Sequence, residues 1–420
     1  LTASTEPIYF RGKAYRAPKN FYNGTHRIRS PEETFEIIKP YFKQVGLTRI
    51  ADITGLDRIG ISVMASVRPN AVLLAVDSGK GFTKIAAQVS AAMECIERYC
   101  GETCQLDSVY SSYEELAKRH TMIPENRLPL TKNSIFHPKN PENWVFGWDI
   151  VNQEEVAVPL EMVITPNAFS FDEPSLFSFQ IGTNGLASGN VFLEAVCAGL
   201  YEVIERDGIA CNDIVKKYIP DSSLPKVRLE TIQYPTIQNL MSRLKAAGVG
   251  LEIVDATMDT NVPIYMCIVQ DEWVKNVGVY KGYGAHYDPE IAMVRAVTEA
   301  VQARAVYIAG SRDDLFHQEH TILKLLDDGL VMDYLTGTQP ASIDASQLKN
   351  RSNPNFEQDI HQMLESLKAV GLNQVIVFDL TPPEFDVSVV RVIVPGLEGY
   401  LFDYYRPGER AKAYLEGSRP

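Results

Sequence analysis

With 420 residues, 45% hydrophobic and 22% charged, the chain has the composition of a folded globular protein. It is long enough for one large or two ordinary domains, and disorder over most of its length is excluded. Its formal net charge of −13 leaves no cationic excess to neutralise phosphates, which excludes a general nucleic-acid-binding surface.

In chain order, residues 1–13 contain no signal-peptide core, and no apolar run of about 18 residues follows to cross a membrane. Residues 31–45, PEETFEIIKPYFKQV, predict a first helix with acidic residues in its opening turn. Strands are expected over 48–53, 59–67 and 70–76. Residues 119–143 and 340–356 are polar and proline-bearing, and predict loops. Strand signal returns over 374–378 and in the alternating 387–394, ahead of Pro395-Gly396. Helices and strands mix throughout and no linker is evident, so one composite α/β domain over 1–420 is expected. It comprises an N-terminal portion to residue 70, a central portion over 71–335 and a β-rich portion over 336–420. The six cysteines, Cys95, Cys100, Cys104, Cys197, Cys211 and Cys267, include no CxxC pair, and buried, reduced thiols in a cytoplasmic protein are expected.

A loose repeat occupies the central portion. SAAMECIER at 90–98, AGLYEVIER at 198–206 and RAVTEAVQ at 295–302 align without gaps. In the first copy Val89, Met93, Ile96 and Cys100 form an apolar helical stripe. Ser90, Glu94 and Glu97 follow one residue around the helix and border that buried face. A single ExxER string is ordinarily a solvated helix face. Three aligned copies, each after a turn-rich segment (77–83, 182–190 and 282–289), predict three helices presenting Glu and Gln to one shared site. Thr83, Asn190 or Ser188, and Asp288 are the expected N-caps, with Pro289 at the first helical position.

Converging carboxylates repel and take up protons unless a cation stands among them, and oxygen-only ligands favour magnesium over zinc or iron. No His occupies the i+3 position of a di-iron Glu-x-x-His pattern; His317-Gln-Glu-His320 is not HExxH and is expected on the surface. The carboxylates exceed the need of one magnesium, so a nucleoside triphosphate carrying more than one Mg2+ fits them better. Residues 77–81, DSGKG, do not satisfy a Walker A loop, and no dinucleotide GxGxxG, GxSxG elbow or protease Cys–His pattern occurs. Lys80 is expected in a glycine-flanked turn near the nucleotide or peptide.

The strings SGKG at 78–81, SAAMECIER, TNGLASGNVFLEAVCAGLYEVIERDG at 183–208, and RAVTEAVQAR followed by GSRDD together resemble the YcaO family over nearly the whole chain. THR at 25–27, SPEET at 30–34, RIADITGLDRIGI at 49–61 and VRVIVPGLE at 390–398 resemble its subgroup encoded beside TfuA proteins. The resemblance implies an α/β fold peculiar to the family, in which pseudo-repeated strand–helix units enclose ATP and magnesium ions, and a homodimer. By motif, Glu94, Glu97, Glu194, Glu202, Glu205 and Gln302 resemble the metal-holding set, Asn190 the residue that reads adenine, and Arg206 a phosphate ligand. Arg27 and Thr34 match an N-terminal phosphate-binding pair by their seven-residue spacing alone, while Arg295 and Glu299 enter the site by helical position.

The implied activity is activation of a peptide backbone amide. A nucleophile attacks the amide carbon, the oxyanion takes the γ-phosphoryl group of ATP, and phosphate departs, with magnesium and Arg206 neutralising the transferring group. A neighbouring Cys, Ser or Thr gives an azoline, sulfide a thioamide, and an amine an amidine. Azoline-forming members typically end in a proline-rich tail, whereas this sequence ends EGSRP; since it opens in the YcaO-like region, a fused leader-binding domain is not expected. With the TfuA-type strings, these features lead to the expectation of a thioamide, installed on a peptide or protein substrate with a TfuA-like sulfur-delivery partner. The alternatives are an azoline-forming cyclodehydratase and, from another class, a non-catalytic ATP-binding scaffold. Intact Glu and Gln positions in all three motifs argue against the scaffold. The catalytic acid or base is not legible; His286 is a candidate, though a lone loop histidine is ordinarily structural.

Overall fold

The computed structural model describes residues 4–165, 178–274, 278–311, 328–337, 339–399 and 405–417. Two compact units emerge, each assembled from segments far apart in the chain. One comprises Leu1–Lys19, Ile96–Val215 and Asn353–Pro420, the other Asn20–Cys95 and Lys216–Ser352. Two of the passages between units fall inside the helices Lys84–Thr103 and Phe192–Tyr218, where no linker composition could mark them.

In the unit built from Asn20–Cys95 and Lys216–Ser352, an antiparallel sheet runs Arg49–Asp52, Ser62–Val67, Val76–Gly81. Alternation along Val76–Gly81 sends Gly79 and Gly81 to one face and Ser78 and Lys80 to the other. The glycine face lies directly on the first acidic helix, Lys84–Thr103: a Cβ at Gly79 would stand 2.0 Å from Ala91 N and 2.5 Å from Ala87 O. Ser66 strengthens this contact by donating its hydroxyl to Ala91 O at 2.8 Å.

A second antiparallel sheet, Val249–Asp255, Ile264–Asp271, Val279–Ala285, repeats the arrangement with the third acidic helix, Pro289–Ala309. A Cβ at Gly282 would lie 2.2 Å from both Ala296 O and Ala300 N, and one at Gly284 2.1 Å from Ala292 O. This sheet, the third acidic helix and the helix Pro235–Ala246 enclose a core that includes Ile237, Leu240, Tyr265, Cys267, Val297 and Val301.

Below this core an ionic network pins the third acidic helix. Arg304 donates to Asp57 at 2.7 Å and to Asp271 at 2.8 Å, while Arg58 reaches both oxygens of Asp271 at 2.8 and 2.7 Å. Burial pushes the Asp271 carboxyl up. Hydrogen bonds from Arg58, Val274 N–H, Arg304 and Trp273 N–H outweigh it, and hold the group at about 2.

The other unit holds a sheet ordered Leu186–Gly189, Ser388–Ile393, Ile376–Asp379, Pro141–Asp149, Glu154–Pro159, Thr121–Met122, with Val109–Ser112 pairing to Pro141–Asp149. Its strand Leu186–Gly189 leads into the second acidic helix, Phe192–Tyr218, and a Cβ at Gly189 would lie 2.5 Å from Ala195 N. Among the described residues no helix is long and apolar enough to cross a membrane, and Cys95, Cys100, Cys197, Cys211 and Cys267 are buried.

Three expectations change. The helix expected over 31–45 stops at Ile38, because Pro40 offers no N–H and crowds the preceding turn; a 3-10 turn, Lys39–Tyr41, separates Pro31–Ile38 from Phe42–Val45. The strand expected over 70–76 begins instead at Val76, and absorbs the glycine-rich segment taken for a turn. The stretches predicted as loops are not loop throughout: 119–143 contains the strand Thr121–Met122 and the 3-10 turn Glu125–Arg127, and 340–356 contains the strand Ile343–Asp344 and the 3-10 turn Ala345–Gln347.

Two outcomes follow from this packing. Gly282→Ala should destabilise the protein by about 1–3 kcal/mol through overpacking, whereas Gly55→Ala, with no heavy atom within 4 Å, should leave the denaturant midpoint unchanged. For Asp271, the folded pKa lies below the ordinary value of 3.8, so its stabilisation is complete above that value and lost as pH falls towards about 2. Asp271→Asn should therefore cost about 3 kcal/mol near neutral pH and flatten the dependence of unfolding free energy on pH between about 4 and 2.

Candidate functional site

Each acidic helix is started differently. Thr83 caps the first, its Oγ1 accepting from Ala86 N–H at 3.3 Å. Asp288 caps the third, accepting from Glu290 N–H at 3.0 Å, with Pro289 in the first helical position. The second begins at Phe192, so its cap position falls on Val191 and not on Asn190 or Ser188. Asn190 instead donates its backbone N–H and side-chain amide to Glu194 Oε1 at 3.3 and 3.1 Å. Both side chains are buried, 5% and 2% exposed.

Further groups cluster on the second helix and its strand. Ser188 donates its N–H and hydroxyl to Glu97 Oε1 at 2.9 and 2.5 Å. Glu205, 2% exposed, follows Glu202 by less than one turn, with Arg206 next to it; Glu202 and Arg206 are half-buried. Behind them Arg391 is buried, donating to the backbone carbonyls of Met162 (3.1 Å), Asn184 (3.0 Å) and Gly182. Burial pulls its guanidinium down to about 10, opposed by the nearby Glu202 carboxylate.

In the unit holding the third helix, Lys80 Nζ stands 2.5 Å from Glu299 Oε2, and Tyr283 N–H donates to Glu299 Oε1 at 3.4 Å. Gln302 Nε2 donates to Ser78 O and Ser78 Oγ, each at 2.8 Å. These contacts arise because Ser78 and Lys80 project from the sheet face opposite Gly79. Lys80 is thus a strand residue, which corrects its expected place in a turn. Arg295 lies one turn before Glu299 and is half-buried, as is Glu94 on the first helix.

Arg27 pairs its backbone with that of Phe21 and reaches His26 O at 3.5 Å. Thr34 is buried on Pro31–Ile38, where Ser30 and Glu33 form a capping box, and its hydroxyl donates to Ser30 O at 2.8 Å. His286 Nδ1 accepts from Asp288 N–H at 2.9 Å, so the ring shapes the turn into the third helix. His317 and His320 lie outside the described residues.

Among the described residues no three His, Cys, Asp or Glu side chains form a ready-made metal cluster. Glu97, Glu194 and Glu299 are engaged by a hydroxyl, an amide and an ammonium donor respectively. Within each unit the donor chemistry fits a hard cation with phosphates: in one, the carboxylates of Glu194 and Glu205 are buried on one helix that also carries Arg206, and in the other the carboxylate of Glu299 and the amide oxygen of Gln302 share a helix with Arg295. The sequence reading missed Ser78 and Ser188 as partners of this set. The signal was the Ser-Gly pair that recurs in SGKG and ASGN on the strand before each of the first two helices.

Residues 78–398 match the family described as YcaO cyclodehydratase, ATP- and Mg2+-binding. An uncharacterized protein in the tfuA 3′ region of Rhizobium leguminosarum bv. trifolii is 30% identical over 434 residues, covering 100% of both chains. The structure of YcaO from Methanopyrus kandleri bound with AMPPCP and Mg2+ matches with a TM-score of 0.72 at 25% identity, over 94% of this chain and 99% of that one. A heterocyclase in complex with substrate and cofactor matches with a TM-score of 0.79 at 22% identity; it shares the fold over 98% of this chain, which spans 57% of that longer one.

Proposed function

The chain belongs to the YcaO family, and we propose on that basis that it uses Mg2+-bound ATP to activate a peptide backbone amide, yielding a thioamide. The observation that carries the reading is the oxygen-donor set on the acidic helices, above all Glu194 and Glu205, which are buried on one helix together with Asn190 before it. Buried carboxylates in such number are costly unless a cation joins them.

Glu94, Glu97, Glu194, Glu202, Glu205, Glu299 and Gln302 would hold magnesium, Asn190 would read adenine, and Arg27, Thr34, Arg206 and Arg295 would meet the phosphates. Bound magnesium would neutralise phosphate charge, and the γ-phosphoryl group would make the amide oxygen a leaving group. This chain's own residues orient the ligands: Ser188 fixes Glu97 through two hydrogen bonds to one oxygen, Asn190 fixes Glu194, and Lys80 balances the charge of Glu299.

The choice of sulfide as nucleophile, with a TfuA-like protein delivering it, is supported by the relative encoded in a tfuA region. A second reading, an azoline-forming cyclodehydratase, draws on the family's description and on the heterocyclase fold.

Two measurements test these proposals. Glu97→Gln and Glu202→Gln should each weaken magnesium-dependent ATP binding by about a hundredfold in calorimetry while leaving the circular dichroism spectrum unchanged. Unaltered affinity in both variants would refute the metal assignment. On a cognate peptide with ATP, sulfide and the partner protein, the product should gain about 16 Da, the exchange of oxygen for sulfur after phosphoryl activation. Loss of about 18 Da without any need for sulfide would establish the azoline reading instead, and would leave the ATP site standing because both outcomes use one activated intermediate.

A further inference from the structure

Two acidic residues in the sequence motifs are left unused by this chemistry: Asp207 of ERDG, next to Glu205 and Arg206, and Glu398 of VPGLE. The structure joins them. Asp207, 1% exposed, accepts Arg410 Nε at 3.0 and 3.2 Å on its two oxygens, Arg410 Nη2 at 2.8 Å, and Glu398 N–H at 2.9 Å. Arg410 is itself 8% exposed. Glu398 accepts from Gly408 N–H at 3.0 Å and Ala411 N–H at 2.9 Å, and so closes the start of the helix Glu409–Leu415. One buried network thus ties the helix Glu409–Leu415, the segment that follows the strand Ser388–Ile393 and the middle of the second acidic helix.

Its direction matters. At about 100° per residue, Asp207 projects roughly 200° around the helix from Glu205, so the network grips the back of the turn whose front carries Glu205. A bidentate guanidinium–carboxylate pair is directional, and resists both rotation and axial slip of that turn. Residues in a metal or phosphate site must be held to about 0.5 Å to act together.

We propose that Arg410 is a positioning residue for the nucleotide site: through Asp207 it sets the rotation of the second acidic helix, and with it the placement of Glu202, Glu205 and Arg206. The inference rests on the assignment of those three residues to Mg2+ and ATP made above. The C-terminal helix is then part of the nucleotide-binding apparatus without touching the nucleotide.

The test compares wild type, Arg410→Gln, Arg410→Lys and the double variant Asp207→Asn/Arg410→Gln as full chains, reading Mg2+·ATP affinity by calorimetry and the thermal midpoint of each. Arg410→Gln should weaken affinity about tenfold. The double variant removes both charges of the Asp207–Arg410 pair; it should regain part of the thermal midpoint yet stay about tenfold weaker, while Arg410→Lys should recover part of the affinity. If Arg410→Gln fails to fold, the other two variants decide. Wild-type affinity in the folded double variant, or affinity that returns in step with the thermal midpoint, overturns the proposal and leaves the ATP assignment intact. A wild-type chain that binds no Mg2+·ATP overturns both.

Discussion

The contact on which the rest of the structure depends is that between a strand glycine and the backbone of the helix that follows it. It recurs at Gly79 against Ala87 and Ala91, at Gly189 against Ala195, and at Gly282 against Ala296 and Ala300. At such separations the strand position cannot carry a side chain, so glycine is required there. Close packing of this kind leaves little room for sliding, since a dense interior resists small displacements. The short spacing also determines reach. Because each helix lies so near a strand, a serine on a strand can touch a carboxylate or amide on a helix, as Ser188 does with Glu97 and Ser78 with Gln302. The chemistry of the acidic helices is therefore inherited from a packing constraint.

The second consequence is electrostatic. Helices drawn this far into the protein bring their carboxylates with them, and each buried charge must be answered locally. The answers differ along the repeat: an ammonium for Glu299, amide donors for Glu194, a hydroxyl and an N–H for Glu97, and a guanidinium for Asp207. Only some of these are permanent in the proposed cycle. Asp207 is bound by a full bidentate pair on the back of its helix, whereas Lys80 offers Glu299 a single ammonium in a partly exposed setting. Part-exposed single contacts of this sort are weak and exchangeable, and a metal ligand needs an exchangeable partner.

How much was legible in the sequence follows from the same geometry. The three helices and the apolar stripe of the first could be read because helical periodicity is local; Met93, Ile96 and Cys100 are buried as expected, while Val89 is only partly buried. The glycine-rich segments read as turns in the sequence because glycine most often serves a turn. Gly79, Gly189 and Gly282 are absent from the glycines with positive φ, so their backbone is ordinary strand and their role is the missing Cβ. That role depends on a helix packed across the strand, which no local pattern reports. Pro40 was visible, yet the surrounding helical signal masked its effect. The Asp207–Arg410 pair spans 203 positions, and Arg304–Asp57 spans 247, separations at which a single sequence carries no pairing signal. The division into two units was hidden because the chain changes unit within two of its acidic helices.

Phosphoryl transfer demands little covalent work from a protein and much positioning. Under the proposed activity, the second acidic helix would meet that demand. It runs for 27 residues and buries Glu194, Glu205 and Asp207 together with a continuous apolar surface that includes Leu193, Leu200, Val203 and Ile204. Asn190 and Glu194 brace its beginning, and Tyr201 is tied through its hydroxyl to Asp359, which is itself paired with the buried Lys19 at 2.5 Å. Asp207 is held from behind by Arg410. Polar restraints thus grip this helix near its start, immediately before Glu202 and immediately after Arg206. A ligand-bearing helix restrained on both sides of its functional turn can present preset oxygens to a metal and a triphosphate, so that binding free energy is not spent on ordering the protein.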